Sequence, residues 1–193
     1  MRIAECATVL ASALARATCS APEGTPLWRT GQAVLRMASA YESDGKTFLS
    51  GDDPVNALAA FLYGLGWLHC GIASGLLVCS EKNPQCPFAA PVENVPTSHF
   101  LKLDEKTKRY ARLLKTALAS VTPAPAPGTH AYNFADQVLF IAGVYLQNGE
   151  REVSAGRTET ALSCFSYGHG WLDAGAESGF FAIHANRGIF TVD

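Results

Sequence analysis

Apolar residues recur at intervals of three and four along most of the first 78 positions, which is the spacing of one face of an α-helix. This pattern predicts three helices in that part of the chain. Thr25-Pro26 and Asp53-Pro54 each place a capping side chain directly before a proline, which is typical of a helix start. The predicted helices span about Ile3 to Thr18, Pro26 to Ser50 and Pro54 to Val78.

The same order of helical patterns returns in the second half of the chain. A proline-rich break at residues 123–128 separates the fourth predicted helix from the fifth. A short extended tail is predicted for Gly188–Val192. The three helices run from a cap at Asp104 to about Val121, from after the break to about Asn148-Gly149, and from about Ala155 or Thr158 to Ala182.

The chain is an internal duplication. Shifted by 104 positions, residues 1–77 align without a gap on residues 105–181, and 25 of the 77 pairs are identical, far more than unrelated sequences give. The sequence therefore predicts an all-α fold of two tandem three-helix units related by a pseudo-twofold axis. The first unit covers residues 1–79, a proline-rich linker covers 80–103, and the second unit with its tail covers 104–193. Because a fused duplication often replaces a homodimer, we expect a monomer with an internal pseudo-dimer.

A stripe of small residues follows one face of the third helix in each unit. A glycine inside a helix costs about 1 kcal/mol relative to alanine. Glycines kept in both copies therefore predict close packing against another helix, and we expect the two units to meet along these stripes. The glycines are Gly64, Gly71 and Gly75 in the first copy, and Gly168, Gly175 and Gly179 in the second.

Aromatic and polar side chains stand beside the stripe. A Tyr and a Trp four residues apart share a helix face, and they indicate either core aromatics or the wall of a pocket. The copies differ on another face, which carries Leu65 and His69 in the first and His169 and Asp173 in the second. A His–Asp pair at this spacing serves proton transfer or metal binding in some proteins, but it is more often a solvated pair on an exposed face. The candidate ligand-binding residues are Tyr63, Trp67, His69, Tyr167, His169, Trp171 and Asp173; no catalytic residue and no metal set is predicted.

Composition narrows the setting of the protein. The net charge is −2 and no run of Lys or Arg exceeds two residues, so nothing in the charge pattern indicates nucleic-acid binding. The six cysteines form no Cys-x-x-Cys and are not copied with the repeat, which favours reduced thiols in the cytoplasm. The state of Cys79 and Cys86 stays open. No apolar run approaches the ~20 residues needed to cross a bilayer, so no membrane association is expected.

Three segments carry a resemblance to a known family. The phrase Phe165-Ser-Tyr-Gly-His-Gly-Trp-Leu-Asp-Ala-Gly175 resembles the signature of a small archaeal family called domain of unknown function 357. The segments Asp53–Phe61 and Glu105–Tyr110 resemble further parts of the same pattern. The resemblance implies an all-helical bundle and an archaeal, intracellular setting, and it implies no activity because the family has none assigned.

Both copies depart from that family pattern. The first copy has Leu65 and His69 where the family has His and Asp, and the second reads Arg157-Thr-Glu-Thr where the family has an acidic-x-Val-Asn start. A site that needs all of these residues is therefore intact in neither copy alone.

Three functions stay open from the sequence. The absence of a phosphate-binding loop, a nucleophile elbow or a His-Glu-x-x-His motif favours a non-catalytic interaction or scaffold module. The first alternative is a small-molecule or metal-binding protein, or a cryptic enzyme, that uses Tyr167, His169, Trp171 and Asp173. The second is a nucleic-acid-associated helical module resembling the HEPN class, although the Arg-x(4–6)-His motif of that class is missing. We expect an unknown protein or small molecule as partner, and no cofactor.

Overall fold

A computed structural model describes residues 3–80 and 95–191 of the chain. Within these residues, six α-helices are joined by turns and by four strands of three residues each, so the predicted all-α class is confirmed. Residues 81–94 of the predicted linker, including Cys86, lie outside the described residues. The first unit contains α1 (Ile3–Leu14), β1 (Ala17–Cys19), α2 (Pro26–Ser50), α3 (Pro54–Ala73) and β2 (Leu77–Cys79). The second contains α4 (Phe100–Leu118), β3 (Val121–Pro123), α5 (His130–Ser154), α6 (Thr158–Glu177) and β4 (Phe181–Ile183).

Two predicted helix starts carry the expected caps. Oγ1 of Thr25 accepts a hydrogen bond from the backbone N–H of Trp28 at 3.2 Å, and Oδ1 of Asp53 accepts one from the N–H of Asn56 at 3.2 Å. Each cap satisfies a backbone donor that the first helical turn leaves unpaired, which stabilises a helix by about 1 kcal/mol. The sequence therefore located the starts of α2 and α3 correctly.

The predicted start of the fourth helix at Asp104 is wrong. A short 3-10 turn at Thr97–His99 leads into α4 at Phe100, so the last part of the predicted linker is helical. Asp104 lies inside the helix, where its carboxylate lies 2.7 Å from Nζ of Lys108 one turn later. An Asp read as a cap was in fact the first member of an i,i+4 ion pair.

Helices α1, α3, α4 and α6 end earlier than predicted, because the chain leaves each of them for a short strand. Strand β1 pairs with β2, and β3 pairs with β4, both antiparallel. Gly75 and Gly179 lie just after α3 and α6 with φ of +77° and +78°, a backbone conformation that glycine adopts without strain. The predicted extended tail contains a 3-10 turn at Arg187–Ile189.

The predicted end of the fifth helix near Asn148-Gly149 is also wrong. Helix α5 continues through Gly149 to Ser154. A Cβ atom at Gly149 would overlap the ring of Phe165 on α6, so this glycine makes room for an aromatic ring and does not end the helix. The equivalent Gly45 faces the ring of Phe61 in the same way.

Helices α3 and α6 form the centre of the molecule. Helices α1 and α2 pack on α3, helices α4 and α5 pack on α6, and the two central helices pack on each other. Nearly every side chain of α3 is buried, which fits a helix that is apolar on all sides. Among the described residues, α3 is also the one helix that is long and apolar enough to cross a membrane, contrary to the expectation that no segment approaches that length, but most of it is buried inside the fold.

The two units meet at Gly66 and Gly170, which are equivalent in the duplication. A Cβ at Gly66 would overlap the carbonyl oxygen of Tyr167 and lie 3.0 Å from Cα of Gly170. A Cβ at Gly170 would overlap the carbonyl oxygen of Tyr63 and lie 3.1 Å from Cα of Gly66. This reciprocity is what a pseudo-twofold axis through the crossing point produces. The units therefore do not meet along the predicted glycine stripes.

The predicted stripes instead face the other elements of their own unit. Gly64 lies against α2, where its Cβ would be 3.0 Å from Cβ of Tyr41, and Gly168 lies equally close to Tyr145 of α5. Gly71 faces Val34 and β2, and Gly175 faces Val138 and β4. Gly75 and Gly179 have no atom within 4 Å of a Cβ position, so their predicted packing role is wrong and their role is in the turn.

Candidate functional site

The phrase Phe165–Gly175 on α6 and its copy at residues 61–71 on α3 are together called the repeated phrase. Each copy contributes a tyrosine that bonds across the boundary between α3 and α6. The hydroxyl of Tyr63 on α3 donates a hydrogen bond to Oδ2 of Asp173 on α6. At the equivalent place, the hydroxyl of Tyr167 on α6 lies 2.7 Å from Nδ1 of His69 on α3. Because His69 and Asp173 are equivalent positions, each unit supplies a tyrosine to the variable polar residue of the other unit. Each of these bonds joins the two halves of the chain.

His169 and Asp173 are buried, so the expectation of a solvated pair on an exposed face is wrong. Their exposed fractions are 3% and 0%, because this face of α6 is covered by other parts of the fold. Nε2 of His169 lies 3.8 Å from Oδ1 of Asp173, which is beyond hydrogen-bond distance. Burial lowers the pKa of His169, and the nearby Asp173 opposes this effect without reversing it.

Burial also determines the protonation states of His69 and Tyr63, the two residues of α3 in these bonds. It lowers the pKa of His69 to about 4, so the imidazole is neutral at pH 7. It raises the pKa of Tyr63 well above its ordinary value, and the negative charge of Asp173 raises it further. Tyr63 therefore stays protonated and acts as a hydrogen-bond donor throughout the physiological range.

A second pair of tyrosines stands behind the first. The rings of Tyr41 and Tyr63 have their centroids 4.4 Å apart, and those of Tyr145 and Tyr167 are 4.5 Å apart. Tyr41 and Tyr145 are themselves equivalent in the duplication and identical, which is a signal that sequence comparison of the two copies offered. Such tilted ring pairs add about 0.5–1.5 kcal/mol to the packing of α2 on α3 and of α5 on α6.

Several buried polar atoms of the phrase have no hydrogen-bond partner among the described residues. Such atoms are uncommon in folded proteins, because a buried polar group without a partner costs about 1–3 kcal/mol. They lie on both central helices, around the contact between the two units. They are Nε1 of Trp67, Nε2 of His69, Oγ of Ser166, Nε2 of His169, Nε1 of Trp171 and Oδ1 of Asp173.

Thr191, near the C-terminal end of the described residues, also contacts this group of side chains. Its backbone N–H donates to Oδ2 of Asp173 at 3.0 Å, so this oxygen accepts from both Tyr63 and Thr191. Oγ1 of Thr191 lies 3.4 Å from the hydroxyl of Tyr63 and 3.5 Å from that of Tyr41. Thr191 and Tyr41 were missed by the sequence analysis, and Thr191 carried no signal because it lies outside the repeat.

The described residues do not form a metal centre. No group of three or more His, Cys, Asp or Glu side chains is placed to hold a metal ion in residues 3–80 and 95–191. A cleft of about 420 Å³ between α4 and the start of α6 is lined by other side chains, among them Phe100, Leu103 and Glu159. The predicted site residues are thus gathered in the core and not in this cleft.

Burial keeps two of the described cysteines, Cys6 and Cys70, in the thiol form. Cys19, Cys70 and Cys79 are free thiols, and Cys86 lies outside the described residues. Burial raises the pKa of the Cys70 thiol far above its ordinary value and that of Cys6 to about 11, so neither is a thiolate at neutral pH.

The fold and the site define a class of protein: a tandem duplication of a small helical unit whose two copies are joined by reciprocal polar contacts between their third helices. A family model described as "Protein of unknown function (DUF357)" matches residues 7–77 and again residues 109–181. The chain therefore belongs to this family and carries its domain twice. Comparisons with curated proteins and with solved structures each gave no match.

Proposed function

We propose that the protein is a non-catalytic interaction module that binds another protein. One observation carries the non-catalytic part of this proposal: both tyrosines of the repeated phrase bond to polar side chains of the other unit, and the exposed apolar side chains of Leu101 and Phe140 support a protein partner. Tyr63 bonds to Asp173 and Tyr167 contacts His69; Tyr63, Tyr167 and Asp173 are buried in the core, and His69 is partly buried beside them. A catalytic group must reach a substrate, and in the arrangement that the structure shows these side chains bond to each other instead. The proposal includes an archaeal source, which the family resemblance supports, and a cytoplasmic location, which the pattern of cysteines supports.

The alternative of a small-molecule site has one supporting observation. Nε2 of His169 and Oδ1 of Asp173 lie 3.8 Å apart without a partner, and a small polar ligand that hydrogen-bonds to both atoms from one side would satisfy them. The metal version of this alternative has less support, because two side chains are fewer than the three or four ligands that a metal site needs. The nucleic-acid alternative has no supporting observation among the described residues.

The experiment starts from the full-length chain carrying an affinity tag in its source cells. Proteins that co-purify are identified, and each complex is then reconstituted from purified components. We expect one partner to form a complex of fixed stoichiometry by light scattering. We expect charged substitutions of exposed apolar side chains, Leu101→Asp and Phe140→Asp, to identify the contact face by weakening that complex.

Tyr167→Phe is the matched control, because its hydroxyl lies inside the core and its loss leaves the outer surface unchanged. Native mass spectrometry of the purified chain separates the alternatives. A stoichiometric small molecule that is retained by the wild type and lost from Asp173→Asn would contradict the proposal in favour of the ligand-binding one.

A further inference from the structure

Residues 187–191 form a strap over the centre of the molecule. The strap consists of the 3-10 turn Arg187–Ile189 followed by Phe190 and Thr191. Phe190 is buried in the hydrophobic core, whereas Thr191 is exposed to solvent. The polar network beneath Thr191 therefore lies only one residue below the surface of the protein.

The strap lies outside the repeated domain. The second match to the family model ends at residue 181, six positions before the strap begins. The helices that form the network, α2, α3 and α6, belong to the matched segments. The strap thus lies outside the segments that match the family model, and it covers a site built within them.

The strap holds Asp173 through its backbone as a peptide ligand would. The N–H of Thr191 donates to Oδ2 of Asp173 at 3.0 Å, and the extended residue Phe190 before it has φ −96° and ψ 141°. The hydroxyl of Thr191 stands 3.4–3.5 Å from the hydroxyls of Tyr63 and Tyr41. An extended backbone, a buried aromatic anchor and a backbone N–H on a carboxylate are recognition elements of peptide-binding sites.

Some polar atoms beneath the strap lack hydrogen-bond partners even while the strap covers them. Oδ1 of Asp173 and Nε2 of His169 have no partner among the described residues while Thr191 is in place. The strap therefore uses only one of the two carboxylate oxygens. A segment that satisfies more of these atoms would compete with it.

We propose that the strap occupies, in cis, a peptide-binding site formed by Tyr41, Tyr63, His169 and Asp173. When the strap leaves, this site takes an extended segment of another protein in which a Phe precedes a Thr or Ser. The inference rests on the proposed function, and it adds to the exposed apolar face at Leu101 and Phe140 a second contact site, naming the chemistry of its partner and the segment that blocks it. Because the strap is tethered, its effective concentration is about millimolar, so a competing segment binds weakly until the strap is loosened.

The test uses full-length chains and a fluorescent, C-terminally amidated peptide of sequence Asn-Arg-Gly-Ile-Phe-Thr, which copies residues 186–191. Thr191→Pro removes the N–H that bonds Asp173, and the extended conformation of Phe190 is the one that a following proline favours. Thr191→Val is the matched control, because it keeps this N–H and loses only the hydroxyl.

We expect the peptide to bind the Thr191→Pro chain at least about tenfold more tightly than the wild type in fluorescence anisotropy, because the loosened strap raises the fraction of open sites. The Thr191→Val chain should stay within about threefold of the wild type on the same reasoning. A peptide methylated on the threonine nitrogen should bind the Thr191→Pro chain at least about tenfold more weakly, since it has no donor for Asp173. Equal binding to wild type and Thr191→Pro, or equal binding of the methylated peptide, would overturn the proposal.

A measurement on the unmodified protein covers the case in which Thr191→Pro fails to fold. Hydrogen exchange of the Thr191 amide should be faster than that of the amides in α6, and it should accelerate when the peptide is added. Exchange as slow as in α6, unaffected by peptide, would show a fixed strap and contradict the inference. The interaction module itself is tested by partner reconstitution, so that proposal stands or falls on a different result.

Discussion

At the scale of single residues, Asp173 is the position on which the contact between the units depends. Its side chain is fully buried, and one oxygen accepts hydrogen bonds from Tyr63 and from Thr191 while the other has no partner among the described residues. His169, 3.8 Å from Oδ1, is the one basic side chain within 4 Å of it in the described part of the chain. A buried carboxyl with so few partners is expensive, so each remaining donor matters more than an average hydrogen bond.

Tyr63 bonds to the carboxyl of Asp173, whereas the equivalent Tyr167 contacts neutral His69. This difference predicts unequal effects when the two tyrosine hydroxyls are removed. Tyr63→Phe removes a donor from the buried carboxyl of Asp173, and we expect it to lower the free energy of unfolding by about 2 kcal/mol. Tyr167→Phe removes the equivalent contact to neutral His69, and we expect a loss of about 1 kcal/mol. Urea unfolding of both variants and the wild type measures the two losses.

The pair of variants forms its own control, because both remove the same atom from equivalent places. The pairing is isolated by a double-mutant cycle of Tyr63→Phe with Asp173→Asn, whose combined loss should be smaller than the sum of the single losses. Equal losses for the two tyrosines, or strict additivity in the cycle, would contradict the assignment of Asp173 as the sensitive partner.

Two histidines whose pKa values are lowered by burial, His69 and His169, predict that the protein is less stable in mild acid. Burial lowers the pKa of His69 from 6.5 to about 4 and also lowers that of His169. The unfolded chain therefore binds protons that the folded chain does not, and stability that is fully present above pH 6.5 is lost as the pH falls toward 4. We expect the free energy of unfolding to drop by on the order of 2 kcal/mol between pH 7 and pH 5 from His69 alone.

Urea unfolding of the wild type and of His69→Gln at the two pH values checks this expectation. The glutamine keeps a polar group opposite Tyr167 but does not titrate, so the variant should lose clearly less stability than the wild type. Asp53 and Glu152, whose pKa values are lowered by hydrogen bonds from Lys102 and Arg157 respectively, titrate below this range. Identical pH dependence in the two proteins would show that His69 is not the responsible group.

Most residues of the candidate site were accessible from the sequence, but their environment was not. Comparison of the two copies singled out Tyr63, His69, Tyr167, His169 and Asp173, and the same comparison contained Tyr41. A helical wheel shows which residues share a face, but it does not show which faces are covered. The apolar character of α3 on all sides was the available indication that the face of His169 on the equivalent helix would be buried.

At the scale of elements, the crossing of α3 and α6 depends on two glycines. Gly66→Ala places a Cβ against the carbonyl oxygen of Tyr167 and 3.0 Å from Cα of Gly170, and backbone atoms have little freedom to move away. We expect a loss of about 1–3 kcal/mol in the free energy of unfolding, from overpacking and displacement of the helices.

Gly143→Ala is the matched control, since Gly143 lies inside α5 with no atom within 4 Å of its Cβ position. There, alanine should stabilise the protein by about 0.5–1 kcal/mol, because it favours the helix and meets no obstacle. Thermal or urea unfolding of the two variants should therefore move in opposite directions. A Gly66→Ala chain as stable as the wild type would mean that the helices do not cross closely at this position.

The elements that the sequence predicted are those with long periodic patterns and explicit caps. Six helices followed from spacing, and Thr25 and Asp53 marked two starts correctly. The strands were missed because three residues are too few to show alternation. Gly149 was misread as a helix end, because a glycine required for packing against Phe165 looks the same in sequence as a glycine that ends a helix.

At the scale of the whole molecule, the duplication places in one chain a contact of the kind that identical subunits make. The contacts are reciprocal about Gly66 and Gly170, but they are no longer identical, because Tyr63 meets Asp173 where Tyr167 meets His69. Fusion of the two copies allowed the two halves of the interface to diverge, which a homodimer of one sequence cannot do.

This internal contact predicts that the protein is a monomer in dilute solution. The faces of α3 and α6 that would pair two separate units already cover each other, and the structure leaves no equivalent face open in the described residues. Light scattering at micromolar concentration should give the mass of one chain, 20.5 kDa.

The Gly66→Ala variant, in which the contact is strained, should show a greater tendency to associate, because a loosened central interface exposes apolar surface to other molecules. A wild-type mass of two chains would place a second interface on the outer helices α1, α2, α4 or α5, and charged substitutions at Leu101 and Phe140 would then show whether that interface is the exposed apolar surface.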